Sequence, residues 1–214
     1  MSEMKKHKKA FTRSEYVPLV PAALTKRTKV FCFFFSKKKY FLASPVLAFF
    51  LAAAAPEDVN ALLSALKSAP TEQQATLLEQ RLVAAWLDQA TPAVQILIEQ
   101  AARKAADAHA RDALADADAA IVLQPDLADL WRRRAELRYA TGDEAGAIAD
   151  LAQALSREPR LIPAWASLSL FAEARHDPKR ALAAWQKVLE LDPKTAHAAT
   201  RLELLQRKVN GQPI

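Results

Sequence analysis

The sequence predicts an all-α protein built as a solenoid of stacked helical pairs. Three observations support this prediction. Ala and Leu are abundant while β-branched residues are few, which favours helices. The 214 residues include only 3 Gly, which leaves little material for the tight turns of an all-β fold. The C-terminal half also repeats with a period of about 34 residues, which is typical of solenoids built from helical hairpins.

The period is clearest in three evenly spaced prolines, Pro125, Pro159 and Pro193. Proline cannot continue a helix, so each one marks the end of one unit and the start of the next. Other positions keep the same register with small or large apolar residues. They are Leu97/Trp131/Trp165, Ala113/Ala147/Ala181, Leu114/Ile148/Leu182 and Ala117/Leu151/Trp185.

This pattern resembles three tetratricopeptide repeats, at 94–127, 128–161 and 162–195. The middle unit fits best, with an early aromatic at Trp131, a turn at Gly142 and a closing Pro159. The resemblance implies a right-handed α-α superhelix in which the first helices of the repeats line a concave groove. Stacking gives each helical pair the apolar neighbour that it lacks alone.

The segments on either side of the repeats are predicted to be helical caps. Residues 56–91 contain two helices, at 57–68 and 71–89, which we interpret as a divergent N-cap over the exposed end of the first repeat. Glu79 falls where the repeat pattern requires a small residue, so this pair is not a repeat itself. Residues 196–214 form a C-terminal capping helix and tail, with Asn210-Gly211 as the stop.

Residues 1–55 have the composition of a basic leader. Residues 1–54 hold 11 Lys or Arg against two acids, a net charge of +9, whereas residues 55–214 hold 19 against 22, a net charge of −3. Three lysines precede an apolar run at residues 40–55 that ends in four alanines, as in a signal peptide cleaved near Ala54. The alternative is an uncleaved membrane anchor, although this run is shorter than a bilayer-spanning helix requires. The single cysteine, Cys32, lies upstream of this run.

The resemblance also implies which residues face the groove. On the middle repeat they are Arg132, Arg133, Glu136 and Tyr139, and an Arg beside a Tyr could grip a carboxylate. The alternative is a solvated face with an intrahelical Arg132–Glu136 pair. The neighbouring first helices would contribute Gln95, Ile98, Leu170 and Glu173. Some family members clamp acidic chaperone tails with Lys, Asn and Arg, and this chain lacks most of those side chains.

No pattern for catalysis or metal binding is present. Neither a phosphate-binding Gly loop nor a Gly-x-Ser-x-Gly motif occurs in the sequence. No histidine has a His or Cys partner at the spacing of a metal site, so we expect no metal, no cofactor and no enzymatic activity. The basic pI belongs to the leader, and the acidic remainder argues against nucleic-acid binding.

Together these features predict a non-enzymatic scaffold of the bacterial cell envelope that binds an unknown protein or peptide partner in its groove. We expect it to be periplasmic or otherwise exported. The alternatives are an adaptor held at the membrane by residues 40–55 and, less favoured, a groove that binds a small ligand or performs catalysis. An open solenoid groove is a poor setting for shifting pKa values.

Overall fold

The computed structural model describes residues 57–211. Within that range the chain is entirely helical, without strands, as the sequence predicts. The helices are α1 (Val59–Lys67), α2 (Glu72–Leu87), α3 (Pro92–Ala106), α4 (Ala110–Leu123), α5 (Ala128–Ala140), α6 (Glu144–Arg157), α7 (Ile162–Ala174), α8 (Pro178–Leu191) and α9 (Ala198–Val209).

Helices α3–α8 form three antiparallel pairs, one per repeat, and α9 packs against α8. Alanines lie where paired helices approach most closely: Ala135, Ala147 and Ala154 in the middle repeat are fully buried. Larger side chains such as Leu151 fill the remaining space of the same cluster. The spacing of small and large residues seen in the sequence therefore becomes the packing between helices.

The turn inside each repeat has a left-handed residue at the same position. Ala108, Gly142 and His176 are equivalent residues of the three repeats and have φ values of 63°, 89° and 58°. Only glycine adopts this conformation without strain, so the first and third repeats carry a backbone cost that the second avoids.

Two tryptophans, each in the first helix of a repeat, form hydrogen bonds with the loop that precedes that helix. Trp131 Nε1 donates to the Pro125 carbonyl at 2.7 Å, and Trp165 Nε1 donates to the Pro159 carbonyl at 2.8 Å. The indole of Trp131 also contacts the guanidinium of Arg157, 4.4 Å from the ring centroid. Each early aromatic therefore both fills the seam and fixes the loop between repeats.

Helices α1 and α2 form a hairpin, which we call the N-terminal hairpin. Threonine begins α2 as the sequence suggests, with Thr71 Oγ1 accepting from the Gln74 amide at 3.3 Å. The buried side chains Leu62, Leu66 and Leu82 lie in the hydrophobic cluster that contains the second and third repeats. A separate cluster joins α3, α4 and the start of α5.

The position of this hairpin differs from the cap that the sequence suggested. Helix α1 packs beside α8 of the third repeat. The front of the first repeat stays open: Ile96 is 55% exposed, whereas the equivalent Leu130 and Ala164 of the later repeats are 2% and 0% exposed. The hairpin therefore covers the later repeats and leaves the front of the first repeat open.

The predicted leader at residues 1–55 lies outside the described residues. Among residues 57–211, no helix combines the length and the apolar character needed to cross a membrane.

Candidate functional site

The first helices of the repeats, α3, α5 and α7, carry the predicted groove residues. Helices α5 and α7 pack against each other, and two contacts join them. The rings of Tyr139 and Phe171 stack with centroids 3.9 Å apart and planes 5° apart, and Ser167 Oγ donates to Glu136 Oε1 at 2.9 Å. We call the side of α3, α5 and α7 that bears the predicted residues the inner face.

The arginines of the inner face are already paired with acids. Arg132 Nε donates to Asp129 at 2.6 Å, and its Nη1 donates to Glu136 at 2.6 Å. Arg133 Nε donates to the second oxygen of Asp129, also at 2.6 Å. Arg132 and Asp129 are 7% and 3% exposed, so this is a buried network rather than a solvated face.

The arginines of this network keep the buried carboxyl group of Asp129 ionised. Burial alone would raise the pKa of the Asp129 carboxyl, but the guanidinium groups of Arg132 and Arg133 outweigh it and hold that pKa well below its usual value. The pKa of Arg132 is raised in turn: burial lowers it, while Asp129 and Glu136 more than compensate. Arg132 therefore has little capacity left for a ligand carboxylate.

The other predicted residues fall into different settings. Leu170 is 42% exposed on α7, beside the Tyr139–Phe171 stack. Glu173 is held by α9, because Arg201 Nη2 and Lys208 Nζ donate to its two oxygens at 2.6 and 2.9 Å. On the first repeat, Ile98 is buried within the α3–α4 cluster, whereas Gln95 is exposed.

The N-terminal hairpin lies against the beginning of α5. Trp86 lines a small cavity together with Ala128 and Asp129 at the start of α5 and with Leu161 just before α7. The Trp86 side chain is 5% exposed, and its Nε1 is buried without a hydrogen-bond partner. The N-terminal hairpin therefore covers the start of α5 and the residue before α7.

The opposite half of the inner face is open and mostly alanine. The C-terminal halves of α3, α5 and α7 present exposed small or apolar side chains, several of them at equivalent positions of successive repeats. These residues are Ala102, Ala105, Ala106, Ala140, Leu170 and Ala174. The alanines at 106, 140 and 174 were not among the predicted groove residues, although their regular spacing is readable in the sequence.

A second buried ion network lies inside the middle repeat and was not anticipated. Asp150 on α6 is 2% exposed and accepts from Arg134 Nη2 and Nε at 2.7 and 2.8 Å. Arg138 Nη1 lies 3.1 Å from the same carboxylate. Arg134 also reaches the exposed Asp118 of α4, at 2.7 Å. This network joins α5 to the helices on both sides of it.

The described residues contain no group of three or more His, Cys, Asp or Glu side chains that could hold a metal ion. The carboxylates of the inner face, Asp129, Glu136 and Glu173, are committed to the ion pairs described above. Asp129 pairs within α5, whereas Glu136 also links α5 to α7 and Glu173 links α7 to α9.

Comparison with known proteins gives similarity at the level of structure. No family model and no curated protein matches the sequence. The TPR domain of Sgt2 from Aspergillus fumigatus has a TM-score of 0.53 at 24% identity, over 58% of this chain and 87% of that one. The first TPR of Spaghetti (RPAP3), bound to the HSP90 peptide SRMEEVD, has a TM-score of 0.53 at 17% identity, over 56% and 98%. The MamA protein has a TM-score of 0.50 at 14% identity, over 71% and 81%.

These similarities show that the described part of the chain has the tetratricopeptide-repeat fold. The prediction made from the periodicity of the sequence is therefore confirmed at the level of fold.

Proposed function

We propose that this protein is a non-enzymatic scaffold that binds a protein or peptide partner on its inner face. The single observation that carries the proposal is the open, alanine-rich half of that face, on a fold whose solved neighbours include peptide complexes. Two of these neighbours are described as complexes with HSP90: the first TPR of Spaghetti and the TPR2AB domain of yeast Sti1.

The chemistry of the open half favours an apolar helical segment as the partner. Exposed Ala105, Ala140 and Ala174 allow a helix backbone to approach closely, and Leu170 adds an apolar contact. An acidic tail is less suited to this surface, because Arg132 and Arg133 are already bound to Asp129. The surface thus differs from a carboxylate clamp.

The inner face can be tested by site-specific photocrosslinking. A photoreactive phenylalanine replaces Leu170, and cells expressing the full chain are irradiated before the products are identified by mass spectrometry. We expect a discrete partner adduct that is lost when Ala140→Arg is added, since a long cation then blocks the small surface.

The matched control is Ala152→Arg, because Ala152 is also an exposed alanine but lies on α6, the second helix of the same repeat. It should leave the adduct intact. Equal loss with both arginine variants, or no adduct from position 170, would refute binding at the inner face.

For the cellular setting, we propose export to the bacterial envelope, with a basic leader cleaved near Ala54 as the supporting sequence feature. The alternative is the same scaffold held at the membrane by residues 40–55. Fractionation combined with intact-mass measurement separates the two. A mature soluble chain beginning near residue 55 supports export, whereas a full-length chain in the membrane fraction supports the anchored adaptor.

A further inference from the structure

The N-terminal hairpin and the loop that follows it are fastened to the end of each of the three repeats. Gln124, near the end of the first repeat, donates to the Gln89 carbonyl at 2.8 Å and accepts from the Thr91 amide at 3.0 Å. Near the end of the second repeat, Arg160 Nη1 donates to Asn60 Oδ1 at 2.6 Å. The third attachment, at Glu79, differs because it brings two carboxyl groups together.

The third attachment joins α2 to the end of α8. Thr195 Oγ1 donates to Glu79 Oε1 at 2.9 Å, and the Thr195 amide donates to the Asp192 carbonyl at 3.4 Å, so Glu79 lies at the same turn as Asp192. Asp192 is 0% exposed; its Oδ1 accepts from the Lys194 amide at 3.0 Å, while its Oδ2 is buried without a hydrogen-bond partner. Ionised carboxylates only accept hydrogen bonds, so a proton held between Asp192 and the neighbouring Glu79 supplies the donor that this buried oxygen lacks.

Cations on the surrounding helices are directed elsewhere. Arg81 of α2 pairs with Glu57, Lys187 of α8 pairs with Glu190, and Arg201 and Lys208 of α9 pair with Glu173. The remaining charged groups nearby have exposed side chains: Lys67 on α1, and Lys194 and His197 in the loop before α9. None of these groups forms an ion pair with Glu79 or Asp192, and a proton on one of the two carboxyls removes one of the two negative charges.

The ionisation of Glu79 agrees with that geometry. Burial is the largest cause, and together with the hydrogen bond and negative charge of Asp192 it raises the pKa of Glu79 to about 8, while the Thr195 hydroxyl acts in the opposite direction. The shared proton is thus retained at neutral pH.

We propose that the N-terminal hairpin is a pH-dependent latch, whose attachment to the third repeat requires a proton shared by Glu79 and Asp192. Loss of that proton places two negative charges in contact between α2 and the end of α8. The repulsion opens the hairpin locally while the repeats stay folded. Because the hairpin covers the start of α5, its opening would enlarge the partner surface, a consequence that rests on the proposed function.

The direction in which the opening equilibrium changes with pH follows from the protonation of Glu79 in the closed and the open hairpin. The closed hairpin keeps the proton up to about pH 8, whereas in the open hairpin Glu79 returns to its ordinary pKa of 4.5. Between these values the closed state binds one more proton. The opening equilibrium therefore rises with pH by up to about tenfold per unit, and it levels off above about pH 8.

The test is hydrogen exchange of the full chain at pH 6 and pH 8, corrected for intrinsic exchange rates. We expect protection of the α1 and α2 amides to fall by on the order of tenfold or more between the two values, while α5 and α6 change little. Glu79→Gln should abolish the fall, since its amide donates to Asp192 and its carbonyl accepts from Thr195 at either pH. Asp192→Asn, a second variant at the same contact, should reduce it.

Glu72→Gln is the matched control, because Glu72 is exposed at the start of the same helix and should leave the pH dependence unchanged. An equal loss of protection in the hairpin and in α5 would overturn local opening. Hairpin protection that is the same at both pH values, or that falls equally in Glu79→Gln, would overturn the shared proton. None of these outcomes depends on a partner.

Discussion

Among single residues of this protein, Asp150 is the one whose removal has the clearest effect on the stability of the fold. Its carboxylate is buried between the guanidinium groups of Arg134 and Arg138. A buried pair of this kind adds little net stability over apolar residues of the same shape, but losing Asp150 leaves each arginine with only an exposed acidic partner, Asp118 for Arg134 and Asp143 for Arg138. Asp150 is therefore costly to remove even though it lies away from the inner face.

We predict that Asp150→Ala lowers the free energy of unfolding by about 3–5 kcal/mol, because both arginines lose their buried partner. Urea denaturation followed by circular dichroism measures the change. Asp118→Ala is the control: it removes a carboxylate from the same Arg134, but Asp118 is 56% exposed, so the cost should stay below about 1 kcal/mol. Similar costs for the two variants would contradict the importance of burial.

At this scale the sequence predicts residue pairs better than it predicts burial. The Arg132–Glu136 pair was visible as an i,i+4 spacing, and the structure contains it at 2.6 Å. The spacing of Asp129 to Arg132 and Arg133 was equally readable, yet its role depends on α2 covering the start of α5. Burial of a helix face by a distant segment leaves no local signal.

At the scale of elements, the turn between the two helices of each repeat shows the same left-handed backbone conformation adopted by three different residue types. Ala108, Gly142 and His176 all have positive φ, and a Cβ built on Gly142 would meet no atom within 4 Å. The difference between the repeats at this position therefore lies in the backbone and not in side-chain crowding.

We predict that Ala108→Gly and His176→Gly each stabilise the protein by up to about 1 kcal/mol, since relief of the left-handed strain exceeds the added entropy of the unfolded chain. Gly142→Ala should destabilise it by on the order of 1 kcal/mol. Thermal unfolding of the three variants provides the measurement. A destabilising effect of glycine at both 108 and 176 would show that these side chains make contacts worth more than the strain.

At the scale of the whole molecule, the N-terminal hairpin and the later repeats share one core. Leu66 of α1 is fully buried in the cluster that also holds Leu161 and Trp185. A shared core makes the hairpin a part of the cooperative unit, although the latch contact lets it open first.

We predict that Leu66→Ala lowers the unfolding free energy of the whole described domain by about 2–5 kcal/mol, through lost burial and the cavity left behind. Leu77→Ala should change it by less than about 0.5 kcal/mol, because Leu77 is 60% exposed on the neighbouring helix. Far-ultraviolet circular dichroism should show one transition that shifts. Two unfolding transitions, of which only the smaller is shifted by Leu66→Ala, would mean that the hairpin folds separately from the repeats.

The sequence by itself determined the repeats. Its regular register places small residues between paired helices and prolines between units, and both are local requirements of packing and backbone geometry. Glu79 already stood out as a misfit to that register. Only the tertiary structure decided where the N-terminal hairpin packs, which placed Trp86 beside Asp129 and joined Glu79 to Thr195. Those contacts join residues up to 116 positions apart, and no periodic pattern specifies such a pairing.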